Sequence, residues 1–228
     1  LEVKAFLHRG LKVLFRDQVR GTTQELKHDG GVADYLQVVI GRAAATRVFE
    51  ANFVVDRTQA EVVIEAAVTW TDAPREQLLS YVNGIPTLDG GTHDQGFRDG
   101  LGKAVRNFIE THSLQPRNIT LTAEDLREGV FTVLSIRIRE PQFQGQTKDR
   151  LNNPEVRGAI DAAVRPMLEQ WLHENRSLGE AIVSRAIQAA RARLASRDAE
   201  AQVRRKSATS GRLNLPGKLA DCSSTDPA

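Results

Sequence analysis

Gly145, Gln146, Thr147 and Lys148 fall together in the run FQGQTKDRL, residues 143–151, between an apolar stretch and a long helical pattern. Lysine carries three N–H donors on a flexible stem, which suits a phosphate oxygen met as a point charge. Gln146 adds an amide donor, Thr147 a hydroxyl, and Gly145 a backbone that can bend close to a ligand. A loop with a strand before it and a helix after it can present such donors in a fixed place. The chemistry on offer is the binding of an anion, a phosphate above all. The same residues also fit a solvated turn in which Lys148 pairs with Asp149 or with nothing. On spacing alone the solvated turn is the favoured reading, since a loop lysine is common.

Two further groups carry chemistry. In LDGGTH, Gly90 and Gly91 could form an anion nest at the start of the following helix. Alternatively Asp89 or Thr92 is its N-cap, which is the favoured reading. His93 has no second His or Cys at ligand spacing, so no metal site is expected there. No Ser-His-Asp pattern and no paired carboxylates can be argued from the remainder. The third group is a run of cations near the C-terminal end: Arg185, Arg191, Arg193, Arg197, Arg204, Arg205 and Lys206. They suit a phosphate backbone, or equally a solvated helix face with pairs such as Glu200 and Arg204. No aromatics are interleaved with them, so stacking on single strands is not suggested.

The elements that must position these groups follow from pattern. LKVLFRD alternates like a strand, with Leu11, Val13 and Phe15 on one face, and VRGTTQELKHDGG reads as a turn and a second strand. VADYLQVVIG is a short helix with Val32, Tyr35, Leu36 and Val39 inward, ended by Gly41. RVFEANFVV, AEVVIEAAVTW and QLLSYVNG read as three strands, the first two joined by DRTQ, in an antiparallel meander with one face buried. FRDGLGKAVRNFIETH is a helix with Phe97, Leu101, Val105, Phe108 and Ile109 on its inner stripe. Thr122 and Asp125 form a capping-box variant, and VFTVLSIRI is apolar enough for the middle of a sheet. A helix then begins at Pro154, with Pro166 inside it expected to bend it. From Ser177 to Lys206 the pattern is helical, with an apolar stripe through Ile182, Ala186 and Ala189 and little to bury beyond. The fold class is α+β with a mixed sheet and a long helical arm.

Composition sets bounds. Of 228 residues 40% are hydrophobic but only 5% aromatic, so the core must be mostly aliphatic. A net charge of +2 does not by itself argue for a nucleic-acid partner. The single cysteine, Cys222, excludes an internal disulfide framework and suits a reducing compartment. No apolar run approaches the ~20 residues of a membrane span and no signal peptide opens the sequence, so a cytoplasmic setting is expected. The sequence starts and stops inside what reads as structure, and it is expected to be a piece of a longer chain.

Taken in order, YVNGIPTLDGGTHDQGFRDGL, LREGVFTVLSIRIREPQFQGQTKDRLNNPEV and LPGKLADC resemble the ATPase subunits of bacterial type IIA topoisomerases, the gyrase B and topoisomerase IV B group. The resemblance covers nearly the whole chain. GGTH, REG, QTK and LPGKLADC are specific as a set, though none would suffice alone. The resemblance implies that residues 1–45 end a GHKL-type ATPase domain and that 46–175 form a transducer of ribosomal-protein-S5-like fold. It further implies that 176–206 are the long helix toward the DNA gate and that 207–228 lead into a Toprim domain. In such proteins the QTK loop reaches a neighbouring ATPase domain, so Gln146 and Lys148, with Thr147 between them, would contact the γ-phosphate of ATP, Lys148 in the catalytic role. Arg98 would face the cavity that DNA passes through, with Lys103, Arg106, Arg204, Arg205 and Lys206 as further DNA contacts. The implied cofactors are ATP and Mg²⁺, whose ligands would lie outside this chain. The implied partners are double-stranded DNA, an A-type subunit and a second B subunit. Without its adenine-binding stretch, its Toprim acids and the partner's tyrosine, the chain alone is not expected to hydrolyse ATP or cut DNA. Two other readings compete: a stand-alone nucleic-acid-binding module of the same fold, or the transducer of a GHKL mismatch-repair ATPase. LPGKLADC speaks against the last.

Overall fold

The computed structural model describes residues 1–209, with side chains described as far as Val203. Helices α1 (Glu2–Leu7) and α2 (Val32–Ala43) flank a hairpin of β1 (Val13–Asp17) and β2 (Thr22–Leu26). The hairpin and α2 lie where the patterns put them. The helix α1 was not expected, because six residues are too few to display a helical period. Gly41 does not end α2. The helix runs on to Ala43 and closes with Ala44 in the left-handed region, whose N–H and that of Ala45 return to the carbonyls of Gly41 and Ile40.

The main sheet has five strands in the order β3-β4-β7-β5-β6: β3 (Phe53–Gln59), β4 (Val62–Trp70), β5 (Gln77–Val82), β6 (Ile85–Pro86) and β7 (Val130–Arg137). Three expectations are corrected here. DRTQ belongs to β3, and the turn is made by Ala60 and Glu61, both at positive φ, a hairpin geometry neither residue type announces. The meander stops after β4, because β5 pairs parallel with β7 instead. A parallel pair needs a crossover, and α3 (Thr92–Thr111) supplies it. Finally, both sheet faces are buried. Ile64, Ala66, Val68 and Leu134 face α3 and α4 (Pro154–Glu174), while Ala67, Phe131 and Val133 face α1 and α2. Strands covered on two sides read as unbroken apolar runs, as VFTVLSIRI does at the centre.

Burial of the second face anchors much of the first 45 residues. Phe6, Leu7, Tyr35, Leu36 and Val39 are buried there, and the Tyr35 and Tyr81 hydroxyls meet at 2.9 Å. Most of the β1–β2 hairpin stays outside, with Leu14 and Phe15 exposed and Leu26 buried at its end.

Between α3 and β7 the expected box forms around the single turn Asp125–Arg127. Thr122 N–H donates to Asp125 Oδ2 (2.7 Å), and Asp125 N–H donates to Thr122 Oγ1 (3.3 Å). Helix α5 (Arg176–Thr209) packs Ile182, Val183, Ala186 and Ala190 into the core, and Leu1–Ala190 form one compact unit. From Arg191 a second unit begins, whose residues 195–203 are exposed. Arg185 is spent within the first unit: Nη2 donates to the carbonyls of Asp72 (2.8 Å) and Ala73 (2.9 Å), and the same nitrogen lies 3.5 Å from Glu128. It fastens α5 to the β4–β5 connection and is not available to a phosphate backbone. Arg185→Ala is expected to cost about 2 kcal/mol in urea unfolding, the range for losing hydrogen bonds from a charged group. No change in the midpoint would refute that fastening.

Candidate phosphate-sensing loop

After β7 the chain forms a two-stranded ribbon, β8 (Phe143–Gln144) against β9 (Arg150–Leu151), which puts residues 145–149 at its tip. Gly145 (φ 78°) turns the chain at one side of the tip and Lys148 (φ 61°) at the other. Left-handed backbone at a lysine costs on the order of 1 kcal/mol, so the ribbon has to hold it there. Gln146, Thr147 and Lys148 are all exposed. Among the described residues none of the three forms a side-chain hydrogen bond or ion pair, and Lys148 does not pair with Asp149. Three kinds of donor therefore stand together at one tip, without side-chain partners among the described residues.

The root of the ribbon is bonded on two sides. Asn153, in front of α4, accepts the Gln142 N–H (2.7 Å) and donates to Glu140 O (3.2 Å) and Glu155 Oε1 (2.7 Å). That amide holds the Glu155 carboxyl below its usual range. On the other side the ribbon meets the turn before α3. Leu151 N–H donates to Gly90 O (3.0 Å) and Asp89 N–H donates to Asp149 O (3.0 Å). At Gly91 a β-carbon would collide with the backbone of Leu151. Only glycine permits that approach.

The turn corrects the expected caps. Gly91 occupies the N-cap position of α3 with no side-chain bond, so neither Asp89 nor Thr92 serves. Asp94 instead folds back over Gly90, as Asp34 does over Gly30, whose N–H it accepts at 2.8 Å. This shared Gly-Gly-x-x-Asp spacing was the signal that would have drawn attention to Asp94. Beneath the turn His93 is fully buried, its Nε2 2.9 Å from Thr87 Oγ1 and 3.1 Å from Asp94 Oδ1. Thr87 Oγ1 lies 3.1 Å from Ser80 O, to which it donates, and so accepts from an Nε2–H tautomer of His93. Burial, and secondarily the Arg98 guanidinium, push His93 down to about 4, while burial pushes Asp94 up to about 6. Burial thus disfavours the charged form of each, which argues against an ion pair between His93 and Asp94. Among the described residues no three His, Cys, Asp or Glu side chains converge as metal ligands.

The expected DNA contacts fare unequally. Arg98 is tied through Nε to both Glu76 oxygens (3.1 and 3.0 Å), which Arg127 also approaches, and Lys103 pairs with Asp161 (2.6 Å). Arg106 is exposed on α3, with no ion pair among the described residues. Arg204, Arg205 and Lys206 lie on the last turns of α5, their side chains outside the described residues, as LPGKLADC lies wholly outside them.

A family model of DNA gyrase B matches residues 31–202. The chain belongs to the DNA gyrase B family. It is 37% identical over 226 residues to the DNA gyrase B protein of Enterococcus faecalis, and 38% over 227 residues to that of Caulobacter vibrioides. Each match covers 98% of this chain but only 35% and 28% of those relatives, so the chain spans about a third of their length. Among solved structures, the 43K ATPase domain of Thermus thermophilus gyrase B, in complex with an aminocoumarin, superposes with a TM-score of 0.80 at 31% identity. The match covers 88% of this chain and 54% of that one. The topoisomerase IV ATP-binding domain of Francisella tularensis gives 0.73 at 29% identity, covering 85% and 52%. The α+β arrangement of mixed sheet and helices is thus one that gyrase B family members share, and the chain is a stretch of a bacterial type IIA topoisomerase B subunit.

Proposed function

We propose that this stretch is the coupling part, or transducer, of an ATP-dependent type II topoisomerase B subunit, and that Lys148 reads the terminal phosphate of ATP. The carrying observation is Lys148 itself: an exposed ammonium without a partner among the described residues, on a strained backbone, at the tip of a ribbon bonded at its root to the starts of α3 and α4. Gln146 beside it supplies a neutral donor to the same anion. The nucleotide and its Mg²⁺ would be held by an ATP-binding segment, where Mg²⁺ would neutralise phosphate charge. A lysine that meets ATP but has nothing to meet in ADP binds the two states unequally, which any nucleotide-driven population shift requires. The displacement would pass through α4 into α5, proposed as the arm toward the DNA-cleaving parts, and so toward an A-type subunit and a second B subunit. In this reading residues 46–175 are the transducer and 1–45 the end of the ATPase domain.

DNA is proposed as the substrate of the whole assembly. Within α3, Arg106 is better placed to touch it than Arg98 or Lys103, whose charges are already engaged. The test is amide exchange in a B subunit carrying its ATP-binding segment. Residues 145–149 are expected to exchange at least about tenfold more slowly with a non-hydrolysable ATP analogue than with ADP. Equal exchange in the two states would sink the reading.

A further inference from the structure

If Lys148 must meet a phosphate, its reach depends on where the ribbon is rooted. Two of the backbone bonds at that root go to the turn 89–91: Asp89 N–H to Asp149 O, one residue past Lys148, and Leu151 N–H to Gly90 O. Gly91 lies too close to Leu151 for either backbone to shift alone. On this side the ribbon can move only with the turn, as on the other it is held by Asn153.

The turn is fixed in its own place from below. Thr87 N–H donates to Ser80 O (3.0 Å), Gly90 N–H to Thr87 O (3.0 Å), and the hydroxyls of Thr87 and Ser80 are 2.7 Å apart. Ser80 belongs to β5, which pairs with the central strand β7. The far end of the turn is joined to this frame by two side chains at the start of α3: the fully buried His93, reaching back six residues to the Thr87 hydroxyl, and Asp94, whose carboxyl meets the Ser80 side chain. The His93 Nδ1 finds no partner among the described residues, so the ring is kept there at some cost for the single bond its Nε2 makes.

We propose that His93 is a positioning residue for Lys148: by closing the 87–93 turn onto β5 it sets the register of the ribbon root and hence the reach of the lysine. It touches neither nucleotide nor reacting atoms. The inference rests on the reading of Lys148 given above, and it assigns to the glycine turn a part in ATP turnover.

A double-mutant cycle on ATP hydrolysis by the full-length B subunit tests it. His93→Gln keeps a donor but changes its reach. Thr87→Val removes the acceptor while leaving the shape of the side chain, and carries the test should His93→Gln fail to fold. Each is expected to lower kcat about tenfold or more while KM for ATP stays within about twofold, since a misplaced contact to the reacting phosphate costs rate rather than nucleotide binding. In a Lys148→Ala background neither substitution should lower kcat further, because the residue it positions is gone. The same fractional loss in both backgrounds, or no loss in either, would overturn the proposal, since a general weakening of the fold does not depend on Lys148. The underlying reading fails separately and visibly: if Lys148→Ala alone leaves turnover unchanged, both ideas fall.

Discussion

Lys148→Ala, in a B subunit that carries its ATP-binding segment, is expected to lower ATP turnover by roughly two to three orders of magnitude, the usual cost of removing one donor aimed at charge that develops in a transition state. ADP binding should hold within about twofold, because the contact is to a phosphate that ADP lacks. The size follows from where the lysine stands. An ammonium with a carboxylate already beside it would have to be stripped of that partner before serving a phosphate. Lys148 has no such partner among the described residues, and Asp149 next to it turns its carbonyl to the ribbon root. Because Lys148 sits at φ 61°, alanine also strains the backbone, and Lys148→Gly serves as the control that relieves it. Both should lose activity alike if the ammonium carries the effect. Steady-state hydrolysis decides it, and turnover within a few-fold of the unsubstituted chain in either variant would end the assignment.

What could be read in advance differs from element to element for physical reasons. Helices α3 and α4 are long and one-sided, so Phe97, Leu101, Val105, Phe108 and Ile109 announced the face that is now buried. The centrality of β7 was legible because a strand covered on both faces has no polar side to show. Its neighbours were not legible. The pairing of β5 with β7 depends on a crossover some 50 residues long, and no local pattern states which strand the chain returns to. The Ala60–Glu61 turn was hidden because propensity argues against both residues, and the strand pairing on either side overrides it. At the site, spacing favoured a solvated turn over a binding tip for the 146–148 loop. The family motif weighted the binding tip, and among the described residues Lys148 does not pair with Asp149, an outcome both readings allowed. The buried cluster escaped for another reason. Ser80, Thr87 and His93 are ordinary residues at unremarkable spacings, and only the fold brings β5, the turn and α3 onto one hydrogen-bonded frame. Arg98 and Lys103 show the converse, since their partners Glu76 and Asp161 lie 22 and 58 residues away and no local reading could have engaged them.

The same cluster makes a pH prediction whose sign can be worked out. Folding raises Asp94 from its usual 3.8 to about 6, and a carboxyl raised on folding contributes stability that is lost as pH climbs through that window. Folding lowers His93 from 6.5 to about 4, and an imidazole lowered on folding contributes stability that is lost as pH falls through that window. The windows overlap almost completely. Between pH 4 and 6 the unfolded chain keeps one proton, on His93, and the folded chain keeps one proton, on Asp94, so the pair adds almost no slope of its own. Removing either partner should expose the other. Relative to the unsubstituted chain, Asp94→Asn is expected to lose about 3 kcal/mol more stability at pH 4 than at pH 6.5, the energy of a shift of this size. His93→Gln should show the mirror image, losing about 3 kcal/mol more at pH 6.5 than at pH 4. Taking differences cancels the other titrating groups, including the Asp72 carboxyl, which the Thr46 N–H holds below its usual range. Urea unfolding at a series of pH values reads both slopes. Opposite slopes would establish that the buried pair exchanges its proton on folding rather than forming an ion pair, while curves parallel to that of the unsubstituted chain would show that neither group is perturbed in the fold.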